Sequence, residues 1–183
     1  MTSDGKADRS FDWLNTWKAM ENLYKEYPDK LKAIGISNFS VKYLERLLAN
    51  SNIVPAVNQI ELHPGLPQQE LVDFCGSKGI AVTAYSPLGS DNSPLLANLV
   101  VKKIAEKYAV HPANVLISLQ ANRPGVNVIP KSVTPSRIES NFKLINLSDN
   151  EVRDLNDIAK TTSFRVCHPD WTGWGSIGFP DCE

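Results

Sequence analysis

"VIPKSVTPSRI", residues 128–138, joins an apolar run of strand character to Lys131, Ser132, Thr134 and Arg137, with a proline at position 135. Thr134 reads as a helix N-cap and Pro135 as the first helical position. The free N–H groups of that helix, together with Lys131 and Arg137, would make a pocket for a phosphate. An ordinary capped helix with solvated basic residues is the plainer reading of the same residues. The question is what kind of fold places an anion-loving cluster directly after a buried strand.

Working outward, strands and helices take turns. "FDWLNTWKAMENLYKEY" repeats apolar residues at helical spacing through Trp13, Trp17, Met20, Leu23 and Tyr24, and "LKAIGIS" follows as an apolar run of strand length. Ser40 can cap a helix over "VKYLERLLAN", and Pro55 opens the strand "AVNQIEL". The helix "QQELVDFCGSK" is ended by Gly79, and "IAVTAYS" is a third strand. "LLANLVVKKIAEKYAV" and "PANVLISLQANR" read as two helices split by Pro112, and "VNVIPKS" reads as the fourth strand. Helices are expected near 135–144 and 148–160. Strands separated by helices of this length pair in parallel βαβ units, and near-continuous apolar strands imply that both sheet faces are covered. The polar residues then gather at strand C-termini: Ser37 and Asn38, Gln59 and Glu61, Tyr85 and Ser86, Lys131 and Ser132. That edge is where parallel α/β folds bind ligands.

Composition narrows the function classes. With 42% hydrophobic and 21% charged residues in 183, the chain has enough apolar content for one folded domain with a core. Nineteen basic and 20 acidic residues give a net charge of −1, so nothing asks for nucleic acid or an anionic membrane, and an anion site must be local. Cys75, Cys167 and Cys182 have neither disulfide nor zinc spacing, so no metal site is expected. A polar start and the lack of a spanning segment suggest a cytoplasmic protein. No Ser/His/Asp signature, GxGxxG or Walker loop is present. His63 in "ELHP" reads as structural, and His111 and His168 have no nucleophile or carboxylate pattern around them.

Four stretches, "KAIGISNFS", "PAVNQIELHP", "GIAVTAYSPLGS" and "VIPKSVTPSRIESN", in this order and at these intervals, resemble the aldo-keto reductase superfamily. The resemblance runs from about Trp13 to Leu155, and "CHPDWTGWGSIGF" resembles the C-terminal loop of fungal members that reduce small aldehydes and keto sugars. It implies an α/β fold: a partial (β/α)₈ TIM barrel, about the last four βα units. Residues 1–161 would be the C-terminal half of the barrel, with 1–12 a polar leader, and 162–183 a tail shaping the substrate loop, Trp171 and Trp174 included. The implied cofactor is NADPH. Ser37, Asn38 and Gln59 match positions that hydrogen-bond the nicotinamide carboxamide, and Tyr85 matches the ring that stacks on the nicotinamide. Ser86, Leu88 and Ser90 match the loop around the pyrophosphate. Lys131, Ser132, Thr134 and Arg137 match the clamp on the adenosine 2′-phosphate, and Asn141 matches an adenine contact. Ser140 departs from the glutamate that many relatives carry there. Taken without the resemblance, Tyr85 could be core, and Ser37 and Asn38 could only initiate a turn.

The resemblance also implies what no residue here matches. The family reduces carbonyls with a tyrosine acid, a lysine, an aspartate and a histidine from the first half of its barrel. Tyr24, Tyr27, Tyr43 and Tyr108 lie in helical patterns and do not match the acid, so no catalytic residue is assigned. The expectation is an NADPH-dependent reductase whose chain alone turns over a small carbonyl substrate poorly or not at all, or else a noncatalytic NADPH-binding regulatory module. If Met1 is the true start, four strands cannot close a barrel. Open edges would then favour self-association or a complementary chain.

Overall fold

A computed structural model describes Thr2, residues 7–8 and residues 10–182, without the side chains of Asp170 and Trp171. Much of the leader 1–12 therefore lies outside the described residues, as does the side chain of Trp171. Helices α1 (Trp13–Glu26), α2 (Val41–Ala49), α3 (Gln69–Ser77), α4 (Leu99–Tyr108), α5 (Pro112–Ala121), α6 (Pro135–Asn141) and α7 (Asp149–Asn156) alternate with strands β1 (Ile36–Ser37), β2 (Val57–Glu61), β3 (Ala81–Tyr85) and β4 (Val126–Val128). The strands lie in the order β1-β2-β3-β4, which is the sequence order expected of successive βα units. The described chain forms two compact units, one from residues 1–58, 70–81 and 167–183, the other from 59–69 and 82–166.

In the first unit, Asp12 caps α1 by accepting the Leu14 N–H, and Trp17, Ile34 and Leu47 form the buried cluster on which Trp13, Met20 and Tyr24 pack. Glu21 is buried beneath this helix. Burial alone would raise its pKa, but the N–H groups of Asn52 and Ile53, at 2.8 and 2.9 Å, and the Trp17 indole hold it net below the usual carboxylate range. The strand foreseen over "LKAIGIS" shrinks to Ile36–Ser37. It lies at the end of the strand order, with a ladder partner on one side, so little of the run is fixed as strand. Gly35 permits the approach to β2: a Cβ there would stand 2.5 Å from Val57 Cγ1. Ser40 caps α2, and Gly79 turns the chain after α3 at φ +71°.

In the second unit, β3 and β4 run parallel in the register Val82↔Val126, Thr83↔Asn127 and Ala84↔Val128. Leu95, Val101, Ile104, Val115, Leu116, Leu119, Leu155 and Ile158 make its core, and α5 is buried almost all round. The helix read over "LLANLVVKKIAEKYAV" is two pieces. Residues Pro94–Ala97 form a 3-10 turn, and the Asn98 side chain accepts the Val100 N–H to start α4 anew. β4 is also not the buried strand its apolar run suggested. Val126 and Val128 are half-buried and Ile129 is 46% exposed, because β4 lies at the other end of the strand order. Ser148 and Glu151 close a capping box on α7, and the same Glu151 carboxylate meets Lys107 at 2.7 Å and the Tyr108 hydroxyl at 3.0 Å.

Those bonds make Glu151 the group that sets acid sensitivity in this unit. The Lys107 ammonium lowers its pKa most, burial works against it, and the Ser148 and Tyr108 donors add to the lowering, taking it from 4.5 to about 2. A carboxylate depressed in the folded state contributes stability above its unfolded pKa and loses it as pH falls through the folded value. Thermal melts should therefore weaken progressively between about pH 4.5 and 2. The Glu151→Gln variant should be less stable at neutral pH and flatter over that window; identical slopes for the two proteins would refute this role.

Candidate functional site

The strand C-termini are where the side chains of interest emerge, and the backbone there is unusual. Asn38, directly after β1, has φ +57°; Ser86, directly after β3, has φ +50°; Ser90 has φ +62°. Non-glycine residues in this region cost energy and concentrate at ligand-handling turns. The three coincide with three positions singled out from the sequence.

The turn carrying Ser37 and Asn38 belongs to the first unit and is clamped from below. Asn58, fully buried on β2, donates from Nδ2 to the Phe39 carbonyl at 2.8 Å, and its Oδ1 accepts the Phe39 N–H at 3.4 Å. Cys75 packs against the same amide, and burial pushes its thiol pKa up, which marks it as structural rather than reactive.

In the second unit, Gln59, the central residue of β2, and Tyr85, the last residue of β3, are half-buried. Ser86, Leu88 and Ser90 form the following loop, in which Gly89 (φ +78°) is packed so closely that a Cβ would meet Ser93 Oγ at 2.4 Å. A cavity of about 480 Å³ is lined by Leu88, Lys131, Ser132, Arg137, Ser140 and Asn141, among others. The fold thus brings together Leu88 from one loop and four of the expected residues from the stretch after β4. Neither Lys131 nor Arg137 takes part in an ion pair among the described residues, so both cations are available to an anion.

Thr134 behaves differently from its reading. It occupies the N-cap position of α6, but its side chain makes no capping hydrogen bond, and it does not line this cavity. Ser132 Oγ instead accepts the Thr134 N–H at 3.2 Å, leaving its own proton free to donate. α6 has seven residues. The anion-attracting groups are therefore chiefly the side chains.

Sequence reasoning missed the residues that hold this loop from behind. Asn114 and Ser118 are buried on α5. Asn114 Nδ2 donates to the carbonyls of Ser140 (2.6 Å) and Lys143 (3.1 Å), Ser118 Oγ accepts the Ile145 N–H (3.0 Å), and Asn122 Nδ2 donates to the Ile145 carbonyl (2.9 Å). The signal was present, since Asn114, Ser118 and Asn122 recur every four residues along α5 and its C-cap, among mostly apolar residues. His111, read as a bystander, caps α5 by accepting the Ala113 N–H on Nδ1 at 3.2 Å and lines the same cavity. His63 is fully buried, stacked on Phe164 with ring centroids 4.5 Å apart and paired with Glu61 at 2.9 Å, as a structural histidine would be.

Successive βα units with their polar residues at strand C-termini are those of the (β/α)₈ barrel class, and the described chain has the fold of part of such a barrel. The chain belongs to the Aldo/keto reductase family, whose profile matches residues 6–160. It is 51% identical to a D-galacturonate reductase of Hypocrea jecorina over 97% of this chain and 58% of that protein. It is 46% identical to a glycerol 2-dehydrogenase (NADP(+)) of Saccharomyces cerevisiae over 89% and 52%. Among solved structures, the aldose reductase of Giardia lamblia superposes with a TM-score of 0.86 at 36% identity, covering 97% of this chain and 60% of that one. An aldo-keto reductase complexed with NADPH superposes with a TM-score of 0.81 at 35% identity, covering 97% and 56%. The chain thus spans a little over half the length of the relatives it matches.

Proposed function

We propose that this chain holds NADPH through the Lys131–Asn141 cavity and serves the reduction of small aldehydes or keto sugars in a cytoplasmic setting. The observation that carries the reading is the cavity, where two unpaired cations and a free hydroxyl donor stand beside Leu88 and Asn141. A doubly charged phosphate needs such a donor set, and neutral nicotinamide-side contacts alone would not distinguish NADPH from NADH. The fit is chemical as well as spatial. Lys131 supplies a point charge, Arg137 a planar fork, and Asn141 both a donor and an acceptor for a base edge. Tyr85 is a half-buried aromatic ring of the kind a nicotinamide stacks on, and Ser86 and Ser90 hold the loop after β3 in its left-handed turns. When bound, the cofactor would supply a hydride.

The second part of the reading is that the chain alone binds rather than turns over. Two of the tyrosines weighed as acids have other contacts. The Tyr43 ring stacks on Trp13 at 5.4 Å, and the Tyr108 hydroxyl bonds to Glu151 and the Asn146 carbonyl. Proton transfer from a positioned acid is worth about 10²- to 10⁴-fold, so turnover without one should fall by at least that factor. Ile129, Val133, Ile138, Phe142 and Leu144 are exposed beside β4, and this supports self-association or pairing with a complementary chain. The test follows NADPH absorbance with glyceraldehyde and galacturonate, and measures mass by light scattering on the same sample. Saturable NADPH binding, negligible oxidation and a mass that grows with concentration are expected. Rapid turnover by a strict monomer would overturn both statements.

A further inference from the structure

The tail touches the chain at one informative point. Ser40 is 2% exposed, and its oxygen performs two tasks. It accepts the Tyr43 N–H at 3.4 Å as the α2 cap, and its hydroxyl donates to the Ile177 carbonyl at 2.8 Å. Ile177 has φ +45°, a conformation that a β-branched residue adopts only when its surroundings impose it. Those surroundings are visible. Gly178 follows at φ +79° and lies so close that a Cβ would stand 2.6 Å from Ser40 Oγ, Phe179 is buried at 3% exposure, and the Gly178 N–H bonds to Ser176 Oγ at 3.2 Å. On its other side Ser40 adjoins Phe39, whose N–H and carbonyl are both held by Asn58, and then Asn38 at φ +57°. Two strained turns, Ser37–Phe39 and Ser176–Phe179, therefore meet at one hydroxyl.

We propose that Ser40 is a positioning residue that couples the C-terminal turn Ser176–Phe179 to the Ser37–Asn38 turn, so that ordering either one orders the other. This rests on the reading of Ser37 and Asn38 as nicotinamide partners. Under it, cofactor arrival at one turn sets the tail before the carbonyl substrate arrives. A cap alone would not need the second hydrogen bond, since an aspartate, which only accepts, would cap as well. The hydroxyl differs in that it can accept from Tyr43 and donate to Ile177 at the same time.

The experiment is hydrogen–deuterium exchange, read by mass spectrometry on the full chain with and without saturating NADPH, for the wild type, Ser40→Asp and Gly178→Ala. Ser40→Asp keeps a capping acceptor but cannot donate to Ile177, so helix α2 should remain protected while exchange in 176–182 accelerates at least tenfold. Gly178→Ala presses a methyl group onto Ser40 Oγ from the tail side, so without cofactor it should accelerate exchange beyond Ser40 itself, in 37–39, which the methyl does not touch. NADPH should slow exchange in both 37–40 and 176–182 of the wild type, but only in 37–40 of Ser40→Asp. If neither variant transmits a change from one turn to the other in the cofactor-free chain, the coupling is wrong. Should NADPH protect 37–40 and 131–141 of the wild type but not 176–182, the coupling is again wrong and the cofactor reading stands. If NADPH protects nothing while the cofactor-free variants still transmit, the cofactor reading fails and the coupling survives.

Discussion

Replacing Lys131 and Arg137 together by alanine is expected to weaken NADPH binding by about 10²-fold or more while leaving NADH binding within about threefold of the wild type. A hydrogen bond to a charged group is worth about 1.5–3 kcal/mol, and both side chains are exposed, so the lower end applies to each and the two together give roughly two decades. The asymmetry between cofactors is what makes the test specific. The 2′-phosphate is the group that NADH lacks, so a general loss of fold or of the pyrophosphate loop would lower both affinities alike. Raising salt should erode the wild-type preference for NADPH and leave the double variant nearly indifferent, because the screened interaction has been removed. Fluorescence titrations at two ionic strengths decide the matter, and equal losses for NADPH and NADH would remove the phosphate clamp from Lys131 and Arg137.

How far the sequence could anticipate this site depends on the range of each interaction. Ser40 as a cap, Pro112 at the first position of α5 and Gly79 after α3 were readable because each acts within one turn of its own position. The strand-end position of Tyr85 was readable because an apolar run stops there, whereas β4 ends at Val128, three residues before Lys131 and short of the strand expected over 126–132. Other features depend on neighbours that a local window cannot contain. β1 is two residues long and β4 is half-exposed because of their places at the ends of the strand order, not because of their composition. Asn98 broke an apolar pattern that looked continuous, since a side chain that can replace a backbone acceptor restarts a helix without any loss of hydrophobic spacing. Asn58 bonds across 19 residues, Asn114 across 26 and 29, and Ser40 across 137, so their roles emerge only when the chain has folded.

Glu61→Ala should be the most damaging single change to stability, at about 2–5 kcal/mol, because it leaves the Val166 N–H and the His63 Nε2–H without their acceptor at about 1–3 kcal/mol each. Glu61 is fully buried at the end of β2, and its Oε1 accepts the Val166 N–H at 2.8 Å and faces His63 Nε2 at 2.9 Å. Among the described residues His63 Nδ1 is buried with no hydrogen-bond partner, so the imidazole is best satisfied as the tautomer with its proton on Nε2, donating to Glu61 and leaving a bare lone pair on Nδ1. Around this pair the Glu61 carbonyl accepts from Gln68 Nε2 at 2.7 Å, Arg165 reaches Gln68 Oε1 at 3.2 Å, and Phe164 covers His63 while its N–H bonds to the Gly65 carbonyl. The cluster therefore fixes residues 164–166 against 61–68, and Gly65 belongs to it, since a Cβ there would meet the Phe164 ring at 2.6 Å. A loss of this size is a large share of a typical domain's stability of about 5–15 kcal/mol. At roughly 2–4 °C per kcal/mol it should lower the melting temperature by about 10 °C. Glu61→Gln keeps an acceptor for Val166 and should cost distinctly less, since one oxygen can still receive the backbone N–H. Calorimetry on the two variants separates a lost hydrogen-bond partner from a lost charge. If Glu61→Ala melts within about 2 °C of the wild type, the cluster is not what secures this segment.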